Sequence, residues 1–217
     1  MKIFLDCSDP DLIASAFETG LIDGVTTNPT LMLKAGDNPK QVIKKISEIF
    51  PFHASVSAEV VGETAEEMLV MAEEYLEIGP NITIKVPCTV EGLKTCKSLS
   101  VSDVHVNVTL VFSTAQAILA AKAGATYVSP FVGRVYDQHW DGRHLIEEIA
   151  DVFATHQVKT EVLAASIREP VQVSDCFRVG ADICTISVPI FYQLYKHVLT
   201  DKGIEKFDKD WQKLVGG

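Results

Sequence analysis

The chain runs from its first predicted strand, residues 2–6, into the turn Asp6-Cys7-Ser8-Asp9-Pro10. This turn distinguishes between two architectures in which strands and helices alternate. A doubly wound open sheet usually carries a glycine-rich turn directly after its first strand. Because this turn contains no glycine, it favours the other architecture, a closed (β/α)₈ TIM barrel.

The rest of the sequence alternates short β-rich runs with helical stretches, as a barrel requires. Amphipathic helical spacing occurs at residues 64–78, 113–123 and 142–155. Eight strand–helix units in a chain of 217 residues leave roughly 27 residues per unit, near the small end for this fold. The predicted strands are residues 2–6, 24–28, 54–60, 82–87, 105–110, 126–132, 159–166 and 181–187.

One helical segment remains after the eight units. Within residues 204–214, Phe207, Trp211 and Leu214 recur at helical spacing. We expect an extra C-terminal helix here that packs against the barrel or a neighbouring subunit. No linker-like change of composition divides the sequence, so residues 1–217 are expected to form a single domain.

The overall charge restricts the class of partner. The chain has 19 Lys and Arg against 29 Asp and Glu, a net charge of −10, which argues against binding to nucleic acid or to an anionic membrane. Small anionic substrates remain open, since a local arginine cluster can override the global charge. The early Asp6 does not suit a signal peptide, and no apolar run approaches the roughly 20 residues of a membrane helix.

Cysteine and histidine usage indicates the compartment. The five cysteines include no C-x-x-C pair, and the six histidines show no H-E-x-x-H or H-x-H spacing. An odd number of cysteines without such pairs is typical of reduced thiols in the cytoplasm. We therefore expect a cytoplasmic protein without a metal site.

A lysine interrupts the apolar run of the fourth predicted strand, Ile82-Thr83-Ile84-Lys85-Val86-Pro87. Since side chains alternate along a strand, Lys85 faces away from the isoleucines. A buried ammonium without a partner is costly, and proteins relieve that cost by leaving the amine partly neutral. A neutral, oriented amine forms a Schiff base with a ketone. The alternative for Lys85 alone is a strand-edge lysine whose charge reaches solvent.

The fifth predicted strand shows how inward side chains can be identified. Its even-numbered residues, Val106 to Leu110, are apolar and face the helices, so its odd-numbered residues face the barrel interior. We interpret His105, near the start of this strand, as a core histidine. On the other strands, the same alternation predicts a ring of inward side chains at the end of the barrel where active sites lie. Its members are Asp6, Asn28, Ser57, Glu59, Lys85, Asn107, Thr109, Ser129, Phe131 and Ser166.

The chemistry of these groups suggests their roles. Asp6 and Glu59, on separate strands, suit proton transfers beside the amine of Lys85. Thr109 would orient a water beside Glu59. The hydroxyl groups of a polyol would be bound by Asn28, Asn107 and Ser129.

An anion site is predicted just beyond the sixth and seventh strands. Arg134 follows the sixth strand, and Ser166 and Arg168 follow the seventh. Together these side chains suit a terminal phosphate, although without the adjacent Ser166 a surface ion pair would be the default interpretation of either arginine. His139 and Trp140, in the loop after the sixth strand, are candidates for a rim or lid.

Six short motifs, distributed over essentially the whole chain, carry a family resemblance. The two most specific are Thr26-Thr27-Asn28-Pro29 and Lys85-Val86-Pro87. The others are FLD at 4–6, NVTL at 107–110, YVSPFVGR at 127–134 and AASIR at 164–168. With these motifs the chain resembles the transaldolases, specifically the small subfamily that includes fructose-6-phosphate aldolase.

The resemblance implies a (β/α)₈ barrel that transfers a dihydroxyacetone unit between sugar phosphates in the non-oxidative pentose phosphate pathway. Donors would be fructose 6-phosphate or sedoheptulose 7-phosphate, and acceptors would be erythrose 4-phosphate or glyceraldehyde 3-phosphate. Lys85 would attack the keto carbon, and Asp6 would take the hydroxyl proton that triggers carbon–carbon cleavage. Glu59 would work with Thr109 through a water on the carbinolamine. The phosphate would be held by Arg134, Ser166 and Arg168.

The resemblance also bears on assembly and on cofactors. It implies no cofactor and no metal. Small members of the family form pentamers or decamers in which the C-terminal helix reaches a neighbour, which fits the extra segment at 204–214. Two cysteines depart from or extend the family pattern: Cys7 replaces a common threonine, and Cys88 follows Lys-Val-Pro. We interpret both as space-filling side chains at the rim, with thiol sensitivity as the alternative.

Two other functions remain open from the sequence. One is a fructose-6-phosphate aldolase that releases free dihydroxyacetone, for which the family pattern has tyrosine and glutamine in place of Phe131 and Glu59. The other is a non-catalytic sugar-phosphate sensor, which the presence of Lys85 and of both carboxylates disfavours. A deoxyribose-phosphate-type aldolase would need a second lysine, and Lys159 lies at the wrong end of its strand.

Overall fold

The computed structural model describes residues 1–36 and 38–216. Its strands are β1 (Lys2–Asp6), β2 (Gly24–Thr26), β3 (Ser55–Glu59), β4 (Ile82–Pro87), β5 (Val106–Val111), β6 (Tyr127–Pro130), β7 (Glu161–Ala164) and β8 (Ile183–Ile186). They are parallel and follow one another around a closed barrel in chain order, and β8 pairs with β1. The predicted (β/α)₈ barrel is confirmed.

Helices lie between successive strands, and the predicted extra C-terminal helix follows them. They are α1 (Pro10–Phe17), α2 (Pro29–Ala35), α3 (Pro39–Ile49), α4 (Ala65–Leu76), α5 (Val90–Val101), α6 (Thr114–Ala123), α7 (Val132–Asp137), α8 (Gly142–Thr155), α9 (Pro170–Arg178), α10 (Val188–Gln193) and α11 (Val198–Val215). None of the helices in the described residues is both long and apolar enough to cross a membrane.

Several observed strands end earlier than predicted because a helix begins almost at once. Asn28 leaves the ladder after β2 because its side-chain oxygen accepts the N–H of Leu31 and so caps α2. Phe131 occupies the corresponding position before α7. Both residues therefore lie at the mouth of the barrel, in the short connections that follow the strands.

β5 contains an irregularity that simple alternation does not predict. Its register with β6 shifts between Val108 and Val111, and Leu110 has a left-handed φ of 58°, which is uncommon for a residue other than glycine. A β-bulge of this kind resets the alternation of side chains. As a result Val111 is fully buried in the core, whereas Leu110, predicted to face the helices there, is only half-buried.

The barrel interior is divided into an apolar half and a polar half. Side chains from β1, β6, β7 and β8 form an apolar cluster in which the ring of Phe4 meets Tyr127 edge to face at 6.0 Å. Gly24 lets this ring approach β2, since a Cβ there would lie 2.9 Å from the Phe4 ring. The polar half is filled from β2 to β5 by Thr26, Ser55, Ser57, Thr83, Lys85, Asn107 and Thr109. The interior is thus packed with side chains, as in other barrels of this size.

The C-terminal helix α11 is longer than predicted and is exposed along nearly its whole length. It begins at Val198 because the ring of His197 accepts the N–H of Leu199 at 3.2 Å, whereas the apolar spacing alone predicted a start at residue 204. No residue of α11 is buried, and Phe207 and Trp211 are 71% and 64% exposed. Its apolar stripe therefore does not pack against the described part of this barrel.

Candidate active site

A cavity of about 100 Å³ opens at the carboxyl ends of the strands, where the sequence predicted the site. The predicted site residues that line it are Asp6, Asn28, Lys85, Thr109, Ser129, Phe131, Arg134 and Ser166. Thr26, Ala165 and Thr185 complete the lining. Asn28 also lines an adjoining, mostly apolar cavity of about 410 Å³, and Glu59 lies in the wall of this second cavity.

Lys85 is buried at the centre of the site, but its charge has a partner. Its Nζ lies 2.9 Å from Glu59 Oε2 and donates to the main-chain carbonyl of Thr27 at 3.0 Å. The ion pair arises because Glu59 and Lys85 are register partners on the neighbouring strands β3 and β4. The expectation from the sequence that the Lys85 ammonium is buried without a partner is therefore wrong. Glu59 holds the amine and stands close enough to exchange a proton with it.

The carbonyl that accepts from Lys85 is itself fixed. The hydroxyl of Thr27 donates to the main-chain oxygen of Ser57 at 2.8 Å, which ties the end of β2 to β3. Two of the three protons of the Lys85 ammonium are thus directed at Thr27 and Glu59. The third N–H of the Lys85 ammonium is left to donate to a ligand in the cavity.

Asp6 lines the cavity of Lys85 and lies on the far side of β2 from Glu59, which lines the second cavity. Its Oδ1 accepts from the Thr26 hydroxyl at 3.1 Å and from Asn28 Nδ2 at 3.5 Å. Burial raises the pKa of Asp6 above its ordinary value, and the charge of Lys85 and these two hydrogen bonds only partly offset that effect. A carboxyl group whose pKa is shifted towards neutrality is suited to exchanging a proton with a substrate.

Thr109 presents a polar atom that the protein leaves unpaired. Its Oγ1 is buried in the wall of the cavity and has no hydrogen-bond partner among the described residues. Buried hydroxyls in folded proteins nearly always have a partner. A hydroxyl or water bound in the cavity would supply one, in keeping with the predicted role of Thr109.

Asn107 and Ser129 form a connected pair, and only one of them reaches the cavity. The Ser129 hydroxyl donates to Asn107 Oδ1 at 2.7 Å, and Asn107 Nδ2 donates to Ser57 Oγ at 3.4 Å. Asn107 is fully buried and does not line the cavity. The structure therefore brings Ser129 into the site and places Asn107 beneath it, where it orients the serine.

Arg134 and Ser166 both line the rim of the cavity. The Arg134 guanidinium lies over the Phe131 ring, 4.8 Å from its centroid. Ser166 has a left-handed φ of 61°, and its loop approaches α7 so closely that a Cβ on Gly133 would overlap the Ser166 carbonyl oxygen. The glycine thus permits the close approach of the Ser166 loop to α7, which carries Arg134.

Arg168 is not brought into this cavity. Its guanidinium forms a bidentate ion pair with Asp137, with a distance of 2.6 Å between Nη2 and Oδ2. About half of the Arg168 side chain is exposed. In this conformation Arg134 and Ser166 line the cavity, whereas Arg168 is engaged by a competing carboxylate. The three-residue anion site expected from the sequence stays a prediction.

Three other sequence interpretations concern residues outside the cavity. His105 is exposed rather than buried in the core, because β5 begins one residue later and leaves it at the opposite rim. His139 and Trp140 are exposed in the connection between α7 and α8. Cys7 and Cys88 are half-buried, and burial raises the pKa of both thiols, which keeps them protonated at neutral pH.

Sequence reasoning missed three threonines that shape the site: Thr26, Thr27 and Thr185. Thr27 acts through its main chain, which no side-chain pattern reveals. The hydroxyl groups of Thr26 and Thr185 are hydrogen-bonded to each other, with their oxygens 2.7 Å apart. Alternation along β8 would have identified Thr185, because Ile183 lies in the interior cluster and the residue two positions later faces the same side.

Comparison with known proteins gives consistent matches over nearly the full chain. The family described as Transaldolase/Fructose-6-phosphate aldolase matches residues 3–217. A protein of Brachyspira hyodysenteriae is 47% identical over 218 residues, covering 100% of both chains. Proteins of Clostridium kluyveri and Caulobacter vibrioides are 49% and 48% identical, covering 99% and 97% of this chain and 99% and 96% of their own. All three relatives bear the name probable transaldolase.

Proposed function

The chain belongs to the transaldolase/fructose-6-phosphate aldolase family, and we propose that it is a transaldolase that works through a Schiff base on Lys85. The substrates would be the ketose and aldose phosphates of the non-oxidative pentose phosphate pathway, in the cytoplasm. The observation that carries the proposal is the buried amine of Lys85, held by Glu59 and Thr27 and facing a cavity that also contains Asp6.

The first step would join the donor ketose to the enzyme. Glu59, 2.9 Å from Nζ, accepts a proton from the ammonium, and the freed lone pair of Lys85 attacks the keto carbon. The hydroxyl group of the resulting carbinolamine then takes this proton back from Glu59 and leaves as water, which gives an iminium ion. Thr109, whose hydroxyl lacks a partner among the described residues, is placed to orient that water beside the reacting carbon.

The second step would break the carbon–carbon bond. Asp6 removes the proton from the hydroxyl group two carbons from the iminium carbon, and an aldose phosphate leaves as its aldehyde forms. The electrons of the broken bond move into the iminium group and yield an enamine of dihydroxyacetone on Lys85. Addition to an acceptor aldehyde reverses these steps, and Asp6 returns its proton to the new hydroxyl group.

Acceptor dependence tests this function. With fructose 6-phosphate alone, a transaldolase should release about one equivalent of glyceraldehyde 3-phosphate per active site and then nearly stop. Addition of erythrose 4-phosphate should start continuous turnover, because the enamine then has an aldehyde to attack. Equally fast product formation without the acceptor would overturn the transaldolase proposal in favour of an aldolase that releases free dihydroxyacetone.

Phe131 supports transfer over release. Its ring contacts the Arg134 guanidinium and lies 5.7 Å from the ring of Phe112, and it carries no proton donor. Phe131→Tyr should raise the ratio of free dihydroxyacetone to transferred product, because a phenol at this position can protonate the enamine. Phe112→Tyr is the matched control, since this ring does not line the cavity, and its ratio should not change. An unchanged ratio in Phe131→Tyr would contradict the role given to Phe131.

Arg134 and Ser166 would bind the substrate phosphate directly. Arg168 would join them after it breaks its ion pair with Asp137. Arg134→Ala should raise KM for phosphorylated sugars by roughly 10- to 100-fold, as expected for the loss of one charge-assisted contact. Arg168→Ala should have a smaller effect, because the phosphate must displace a carboxylate. Arg143→Ala removes a comparable pair, since Arg143 Nη2 lies 3.1 Å from Asp141, and should leave KM unchanged. Equal effects on unphosphorylated substrates would mean that the arginines are structural.

The exposed stripe on α11 supports a cyclic homo-oligomer, proposed as a pentamer or decamer. The stripe includes Phe207, Trp211 and Leu214, which are all more than 60% exposed in the isolated chain, and exposed patches of this kind mark interaction surfaces. Deletion of residues 198–217 should reduce the sedimentation coefficient of the assembly. Sedimentation of the full chain as a monomer at micromolar concentration would contradict the proposal.

A further inference from the structure

We propose that Thr185, on β8, is a positioning residue for proton transfer at Asp6, through a chain of two hydroxyl groups that runs from Thr185 to Thr26 to the carboxylate. The inference rests on the proposed function, because it takes Asp6 as the base in bond cleavage. It adds the eighth strand to the machinery of the site.

The chain of hydroxyls is short and protected from solvent. Thr185 Oγ1 lies 2.7 Å from Thr26 Oγ1, and Thr26 Oγ1 donates to Asp6 Oδ1 at 3.1 Å. Asp6 and Thr26 are register partners on β1 and β2, and Thr185 reaches them from β8, on the other side of β1. Thr26 and Thr185 are only 2% and 3% exposed. Bulk water therefore does not compete strongly for these hydrogen bonds.

The chain has a direction that depends on the charge of Asp6. Each threonine hydroxyl has one proton, and Thr26 uses its proton for the carboxylate. Thr185 must then donate to Thr26, which polarises the Thr26 hydroxyl and strengthens its bond to Asp6. If Asp6 carries a proton on Oδ1, Thr26 has to turn its own proton towards Thr185. The arrangement seen here thus favours the ionised carboxylate and opposes burial, which raises the pKa of Asp6.

The chain also determines which oxygen faces the substrate. Among the described residues, the side-chain hydrogen bonds to Asp6, from Thr26 and Asn28, both reach Oδ1. Oδ2 is therefore the oxygen left to accept the proton of the donor ketose. Loss of the Thr185 hydroxyl would weaken the hold on Oδ1 and would make the carboxylate harder to keep ionised.

A second pair of buried hydroxyls provides a matched control. Ser55 and Thr83 lie 2.8 Å apart in the polar half of the barrel interior and are 4% and 1% exposed. Neither residue lines the cavity or forms a hydrogen bond to Asp6. Thr83→Val therefore removes the same group from the same kind of environment without touching the proposed chain.

The test measures kcat of the transfer reaction against pH for the full-length protein and its variants. In the wild type, kcat should rise with pH as Asp6 ionises; this rise is the acidic limb of the profile. Thr185→Val should move the acidic limb to higher pH by roughly 0.5 to 1 unit, because the Asp6 carboxylate loses part of its hydrogen-bond stabilisation. At acidic pH, where kcat rises with pH, kcat of the variant should be about 3- to 10-fold lower than that of the wild type. Thr185→Ser should restore the wild-type profile. Trapping of dihydroxyacetone on Lys85 by borohydride should not change, since imine formation does not use Asp6. Thr83→Val should leave the acidic limb in place.

An acidic limb that stays in place in folded Thr185→Val would overturn the proposal, and so would an equal shift in Thr83→Val. If Thr185→Val does not fold, Thr185→Ala is measured by the same profile and judged in the same way. Failure of the underlying function gives a different result, because the wild-type protein would then form no borohydride adduct with dihydroxyacetone.

Discussion

Replacing Lys85 with Met is expected to abolish transfer, with a loss of roughly 10⁴-fold or more in kcat/KM. Methionine has a similar length but cannot attack a keto carbon, so no covalent intermediate forms. Borohydride reduction in the presence of fructose 6-phosphate should add a three-carbon unit to Lys85 in the wild-type protein and to no residue in Lys85→Met. Peptide mass mapping measures this, and an adduct on another lysine would refute the assignment.

The same substitution should also destabilise the fold, because it leaves Glu59 without its cation. The Lys85 and Glu59 side chains are only 6% and 13% exposed, and breaking a largely buried pair on one side typically costs about 3 kcal/mol. Lys85→Met combined with Glu59→Gln should recover most of this loss in urea denaturation without recovering activity. Wild-type stability in the single variant would show that Glu59 is better solvated than the structure indicates.

Asp6→Asn is the second substitution with a large expected effect. Removal of a positioned base typically costs about 10²- to 10⁴-fold in rate, and here the loss should fall on cleavage rather than on imine formation. The variant should therefore still give a borohydride adduct with dihydroxyacetone while it fails to release glyceraldehyde 3-phosphate from fructose 6-phosphate. Loss of both reactions together would mean that Asp6 holds the site together rather than serving as the base.

The stability of Asp6→Asn should change in the opposite direction from its activity. The pKa of Asp6 is raised in the folded state, so the folded protein binds the proton more tightly than the unfolded chain, whose aspartates titrate near about 4. Stability then falls as pH rises from the unfolded value through the folded one. Asparagine removes this cost, so the variant should be more stable than wild type at neutral pH. The difference should vanish below about pH 4, as thermal unfolding at several pH values would measure.

The sequence predicted most of the cavity because alternation along strands depends only on backbone geometry. Lys85, Asp6 and Thr109 face inward for the same reason, and (β/α)₈ barrels open their sites at one end. Alternation does not report which side chains will meet. The pairing of Glu59 with Lys85 depends on the register between β3 and β4, which a single strand does not encode.

The bulge in β5 and the ion pair of Arg168 could not be predicted from the sequence, for different reasons. The bulge at Leu110 changes the alternation within β5, and an apolar run gives no sign of it. Arg168 follows its strand as predicted, but its guanidinium forms an ion pair with Asp137 on α7 and does not line the cavity. That outcome depends on how closely two connections approach, which Gly133 permits and residue type alone does not specify.

The apolar cluster that includes Phe4, Tyr127, Leu163 and Ile183 fills one side of the barrel interior, and the described cavity that contains Lys85 opens at the carboxyl ends of the strands. Under the proposed function, the first aldose phosphate must leave through the opening by which the second arrives, and the two cannot occupy the site together. Kinetics should therefore follow a ping-pong pattern, with parallel lines in double-reciprocal plots. Each aldose phosphate should also inhibit competitively against the other, because both compete for the same enamine form of the enzyme.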